Sequence, residues 1–149
     1  MTKIVLNMIV KNEASVIARC LESAMPIVDA AVIFDTGSTD DTIKTIREAF
    51  TGKPLFVFPL KKDVKWPYGE FDFGTARTEA ARVAKQIVVK EYGFKLDETY
   101  LLFLDADMVL VREETFDKNL LTGPHYRLIQ SKGRSPTRTR ASAVSTSIG

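Results

Sequence analysis

Two residue types that build disulfides and metal clusters are almost missing from this chain, which has one cysteine, Cys20, and one histidine, His125. A lone cysteine excludes an intramolecular disulfide and every cysteine-rich zinc site, and it suits a reducing, cytoplasmic setting. His125 has no carboxylate motif beside it and is read as incidental. Nowhere does the chain offer the roughly 18 consecutive apolar residues of a membrane span. The stretch Met1 to Val10 is also too short for a signal peptide, because Asn7 interrupts it and charge returns at Lys11.

Charge of one sign is scarce as well. The formal net charge is +2, but Lys132, Arg134, Arg138 and Arg140 lie in a final segment without acids, and removing those four leaves the body at −2. Such a body has no general affinity for polyanions, so no nucleic-acid partner is expected; that reading would rest on the tail alone. What is abundant is apolar side chain, 45% of 149 residues, enough for one globular core.

The order of patterns along the chain predicts an α/β fold. Ile4 to Val10, Ala30 to Phe34 and Leu55 to Phe58 are short runs rich in β-branched and large apolar residues, as in strands buried on both faces of a parallel sheet. Between them lie helical patterns. Asn12 is placed to cap the first, which carries Val16, Ile17, Cys20, Leu21 and Ala24 up to Pro26, and Thr39 or Asp40 is placed to cap the second, with Ile43, Ile46 and Phe50. A longer helix is predicted from Phe73 to Tyr92, stopped by Gly93, and Tyr100 to Leu104 is the most apolar strand. Alternating strands and helices imply a mostly parallel sheet flanked by helices. Residues 1–130 read as one domain and 131–149, dominated by Ser, Thr, Arg and Ala, as a disordered low-complexity tail.

The segment with most chemical content is Leu102-Phe103-Leu104-Asp105-Ala106-Asp107, an apolar strand ending in two carboxylates. Alternate residues of a strand face the same way, so Asp105 and Asp107 are expected to converge where the strand emerges. Two hard oxygen ligands suit Mg²⁺ or Mn²⁺, whose shell is completed by water and substrate phosphate. A short acidic pair is weak by itself; the strand before it supplies the context. Phe34-Asp35-Thr36-Gly37-Ser38 repeats the arrangement, with Asp35 placed to accept hydrogen bonds from a base or ribose. In the loop Pro59 to Asp72, Lys61, Lys62 and Lys65 read as solvated or phosphate-facing, and Trp66 and Tyr68 as stacking residues or a lid on the core edge.

Four blocks in order, Met8 to Glu13, Asp35 to Asp40, Phe71 to Arg77 and Leu104 to Asp107, resemble the family 2 glycosyltransferases with the GT-A fold. The resemblance covers residues 3 to 111. It implies a nucleotide-diphospho-sugar-binding layout in which Asn12 and Glu13 sit beside the base and Asp35 contacts the nucleotide. Arg77 then supports the donor site, and Asp105 and Asp107 hold the metal on the donor diphosphate. The implied reaction is transfer of a sugar to an acceptor hydroxyl of a glycan, lipid or protein, with inversion. In that family the acceptor half and the catalytic carboxylate follow the metal motif, whereas here 42 residues follow it, and among Glu113, Glu114 and Asp117 none is marked as the base. The fold is therefore expected to be incomplete at the C-terminus. A truncated, catalytically inactive fragment that binds nucleotide only is the alternative. A signalling receiver domain ranks below both, since the lone phosphoacceptor aspartate and later lysine it needs are not in place.

Overall fold

The computed structural model describes residues 1–59, 69–126, 129–131 and 138–140, the last two segments as backbone. Lys61, Lys62, Lys65, Trp66 and Tyr68 lie outside the described residues. In chain order the main elements are β1 (Lys3–Val10), α1 (Ile17–Ala24), β2 (Ala30–Asp35), α2 (Thr42–Ala49), β3 (Leu55–Pro59), α3 (Phe73–Lys90), β4 (Thr99–Phe103) and β5 (Val109–Val111).

The first four strands form one sheet in the order β3-β2-β1-β4, with every pairing parallel. Alternation along β1 shows why the run is apolar on both faces. Ile4, Leu6, Met8 and Val10 join Ile17, Cys20, Leu21 and Ile46 in one core, while Val5 packs with Ala84 and Val88 of α3 in another. Helix α3 approaches the sheet closely because its buried stripe is Ala76, Ala80, Ala84 and Val88. Asn7 is the polar exception in this layer: its Nδ2 donates to the carbonyls of Val32 at 2.9 Å and Ala80 at 3.4 Å, tying β1 to β2 and α3. Helix α3 ends as anticipated, with Gly93 at φ +66° and the Phe94 N–H reaching back to the Val88 carbonyl at 3.0 Å.

The strand order creates a switch point. From β1 the chain moves outward through β2 and β3, then returns to pair β4 on the other side of β1. In open parallel sheets the crevice at such a reversal, at the carboxyl ends of the strands, is where ligands bind.

Two expectations need revision. Asn12 does not cap α1, whose first helical residue is Ile17 with no side-chain cap; a turn closed by the Glu13 carbonyl leads into the helix instead. Strand β4 stops at Phe103, and the Met108 N–H bonds the Asp105 carbonyl at 3.0 Å, so Asp105 and Asp107 belong to a turn and not to the strand's alternation. Beside the main sheet, Arg138–Arg140 forms a strand, parallel to β5 and antiparallel to Ile129–Ser131. Pairing uses backbone N–H and C=O groups that every residue there carries, so polar composition did not exclude it. Among the described residues no helix is long and apolar enough to cross a membrane.

Candidate nucleotide-binding site

The loops leaving β1 and β2 are stitched together by side chains. The Asn12 N–H donates to Ser38 Oγ at 3.0 Å, and the Thr39 N–H donates to Asn12 Oδ1 at 2.7 Å. One step on, the Glu13 N–H donates to Thr42 Oγ1 at 2.8 Å and the Ala14 N–H to Asp40 Oδ2 at 3.2 Å. Asn12 itself adopts φ +52°, a conformation asparagine tolerates better than most residues, which turns the chain sharply after β1. Asp40 accepts from the N–H of Thr42 at 3.0 Å and from its hydroxyl, one residue ahead of Asp41, the N-cap of α2, whose own side chain makes no capping bond. Those bonds hold the Asp40 carboxyl below its ordinary range.

Asp35 is buried at the end of β2. Its Oδ2 accepts the N–H groups of Gly37 and Ser38, both at 3.1 Å. Gly37 has φ +118°, which only glycine adopts freely, and this lets the turn fold back over the carboxylate.

Beside these loops opens a cavity of about 530 Å³ lined by Ile9, Val10, Lys11, Glu13, Thr36, Phe71 and Phe73. Its wall is largely apolar and aromatic with few polar groups, the composition of a small-molecule site. Glu13 also lies within electrostatic reach of the acidic turn. The Glu13 carboxyl is raised above its ordinary range by burial first, then by the negative charges of Asp107, Asp40 and Asp105. Acids from three separate loops thus lie within electrostatic reach of one another.

Arg77 answers part of that charge. Its Nη2 donates to Asp105 Oδ1 at 3.1 Å, and its guanidinium lies 5.0 Å from the Phe73 ring centre and 5.5 Å from that of Phe103. Asp107 is exposed and Asp105 half-buried. Helix α1 supports their turn from below. Cys20 Sγ donates to the Asp105 carbonyl at 3.5 Å, and Ser23 Oγ accepts the Leu110 N–H at 2.8 Å. Burial and the charges of Asp107 and Asp105 push the Cys20 thiol up to about 12, so it serves as an inert donor.

The model of glycosyl transferase family 2 matches residues 6–118. The chain belongs to this family. No curated protein matches the chain. Among solved structures it is similar to glucosyl-3-phosphoglycerate synthase from Mycobacterium tuberculosis in complex with Mn²⁺, uridine diphosphate and glucosyl-3-phosphoglycerate. The identity there is 23%, the match covers 71% of this chain and 34% of that one, and the TM-score is 0.44. The complex of the same enzyme with Mg²⁺ and uridine diphosphate gives 21% identity, 72% and 34% coverage and a TM-score of 0.44. A mycobacterial protein gives 24%, 71%, 31% and 0.45. The chain therefore spans about a third of the length of these proteins.

Of the residues singled out in the sequence of this family 2 member, Arg77 pairs with Asp105, Glu13 lies within electrostatic reach of Asp105 and Asp107, and Asn12 and Asp35 shape the adjoining loops. Lys11, Thr36, Phe71 and Phe73 line the cavity without having been singled out. Their signal was position, since each falls inside a recognised block and next to a strand end or helix start.

Proposed function

We propose that this chain binds the donor of a glycosyl transfer, in which a sugar passes from a nucleoside diphosphate to an acceptor hydroxyl with inversion. The observation that carries the reading is the Arg77–Asp105 pair in an acidic turn within electrostatic reach of Glu13, beside a mostly apolar cavity at the switch point of a parallel sheet.

In this reading the base enters between the β1 and β2 loops, against Ile9, Thr36 and Phe73, with Asn12, Glu13 and Asp35 setting its edge and the ribose. Asp105 and Asp107 would hold a divalent ion. Their chemistry fits: both are oxygen donors on one short turn, close enough to a third carboxylate to raise its protonation range. Among the described residues no group of three or more Asp, Glu, His or Cys could hold a metal by itself. That suits Mg²⁺ or Mn²⁺, which bind through one or two carboxylates plus substrate phosphates. Bound there, the ion supplies charge neutralisation for the departing diphosphate. Arg77 adds a planar donor fork for phosphate oxygens.

Calorimetry with UDP or GDP and Mn²⁺, beside a sugar-release assay, tests this. Mn²⁺-dependent nucleotide binding that disappears in the double variant Asp105→Ala, Asp107→Ala is the expected result, and equal binding by both proteins overturns the metal assignment. Binding without turnover supports the second reading, a chain that binds nucleotide only.

A further inference from the structure

The Arg77 guanidinium sits among three partners from different parts of the fold. Phe73 precedes it by one helical turn on α3, Phe103 is the last residue of β4, and Asp105 stands two residues after Phe103. Two aromatic faces near one guanidinium fix its direction, because a cation is attracted to the ring face and the planar group is held there. The direction is toward Asp105 Oδ1. The same Phe73 forms part of the cavity wall, so an occupant of the cavity touches the side chain that holds Arg77 in place.

We propose that Phe73 and Phe103 form an aromatic clamp that parks Arg77 on Asp105 as a latch, opposing metal binding until a nucleoside diphosphate enters. The latch rests on the metal-site reading given above. While Arg77 is parked, one oxygen of Asp105 is engaged and a positive charge lies where an incoming cation would approach. A diphosphate offers the guanidinium a more highly charged acceptor, able to take a two-point contact where Asp105 takes one. Moving Arg77 onto the diphosphate frees Asp105 for the ion. Nucleotide and metal are then coupled through Arg77 as well as through direct contact, and each strengthens the other by the same factor. Phe73 is a positioning residue in this scheme, because it acts through Arg77.

The test is Mn²⁺ binding without nucleotide, read from the loss of the free-ion signal in electron paramagnetic resonance. Arg77→Met is expected to tighten Mn²⁺ alone by about two- to five-fold, the equivalent of one partly exposed ion pair. The strengthening caused by UDP should shrink correspondingly. Phe73→Leu should move both quantities the same way by a smaller factor, and Arg77→Gln replaces Arg77→Met if the latter melts early. Damage to the fold would weaken the metal, so a gain in affinity separates a latch from a structural defect. Lys85→Gln, which removes a nearby positive charge outside the clamp, should change Mn²⁺ binding less than Arg77→Met does. The latch is overturned if Arg77→Met leaves Mn²⁺ binding unchanged or weaker, or if Lys85→Gln reproduces its effect. Failure of the wild-type chain to bind Mn²⁺ even with UDP and GDP would instead remove the metal site, and the latch with it.

Discussion

Asn12 and Thr39, 27 residues apart, are joined by a 2.7 Å hydrogen bond from the Thr39 N–H to the Asn12 side-chain oxygen, across the mouth of the candidate site. With Asn12 N–H on Ser38 Oγ, this bond makes one rim from two loops. Replacing Asn12 by Ala removes the acceptor and forces a Cβ-bearing residue without a helping side chain into a left-handed backbone. The expected loss is about 1–2 kcal/mol in urea denaturation. Asn12→Gly should lose less, since glycine accepts φ +52°. A glycine variant weaker than the alanine one would show that backbone conformation is not what asparagine supplies here.

Asp72 controls the start of α3. Its Oδ2 accepts both the N–H and the hydroxyl of Thr75 at 2.6 Å, and these bonds, the side-chain one first, hold its carboxyl below the usual range. A depressed folded-state value means a contribution present above the ordinary aspartate range and lost as pH falls through the lower, folded value. Asp72→Ala should therefore melt below wild type at pH 7, and the gap should close as the pH drops below the aspartate range. A gap independent of pH would contradict the capping role.

Asn7 is fully enclosed and bridges three elements. Its replacement by Ala should cost about 1–3 kcal/mol, the range for losing a buried hydrogen bond and leaving polar partners unmet. The urea m-value should stay constant, because the surface exposed on unfolding barely changes. A loss under about 0.5 kcal/mol would mean that the carbonyls of Val32 and Ala80 are satisfied without it.

Ser23 connects α1 to β5, the strand that follows the acidic turn, accepting the Leu110 N–H while donating to the Cys20 carbonyl at 2.6 Å. Ser23→Ala should destabilise by about 1–2 kcal/mol and also weaken Mn²⁺-dependent UDP binding in calorimetry. Loss of stability with unchanged binding would confine the tether to folding.

Removal of the ion gives a check without mutation. In the proposed function, UDP with Mn²⁺ should raise the melting temperature and excess EDTA should return it to the ligand-free value. At ligand about 100 times its dissociation constant the stabilisation is about 2.7 kcal/mol. A shift that survives EDTA would mean that the nucleotide binds without a metal.

The strands and helices of the first 111 residues were legible because burial leaves a period in the sequence. Ile4 to Val10 lies in a strand enclosed on both faces, and Ala76, Ala80 and Ala84 recur at one helical turn. The Asp105-Ala106-Asp107 turn was legible as an apolar strand running into acids, but strand alternation does not position the two carboxylates, since β4 stops at Phe103. The role of Asn12 was misread too. An asparagine before an apolar helical run looks like a cap, and only the position of Thr39 shows that its oxygen is used elsewhere.

Local sequence by itself determined the order of elements, the parallel character of the sheet and the family, because these follow from residue periodicity and from short blocks of neighbours. Tertiary structure alone decided that Arg77 faces Asp105 between two phenylalanines and that Glu13 shares the charge of the acidic turn. Arg77 and Asp105 are 28 positions apart, and Glu13 stands further still from the acidic turn. Their distances depend on how α3 and the β1 loop settle on the sheet, a sum of many packing contacts that no local pattern records.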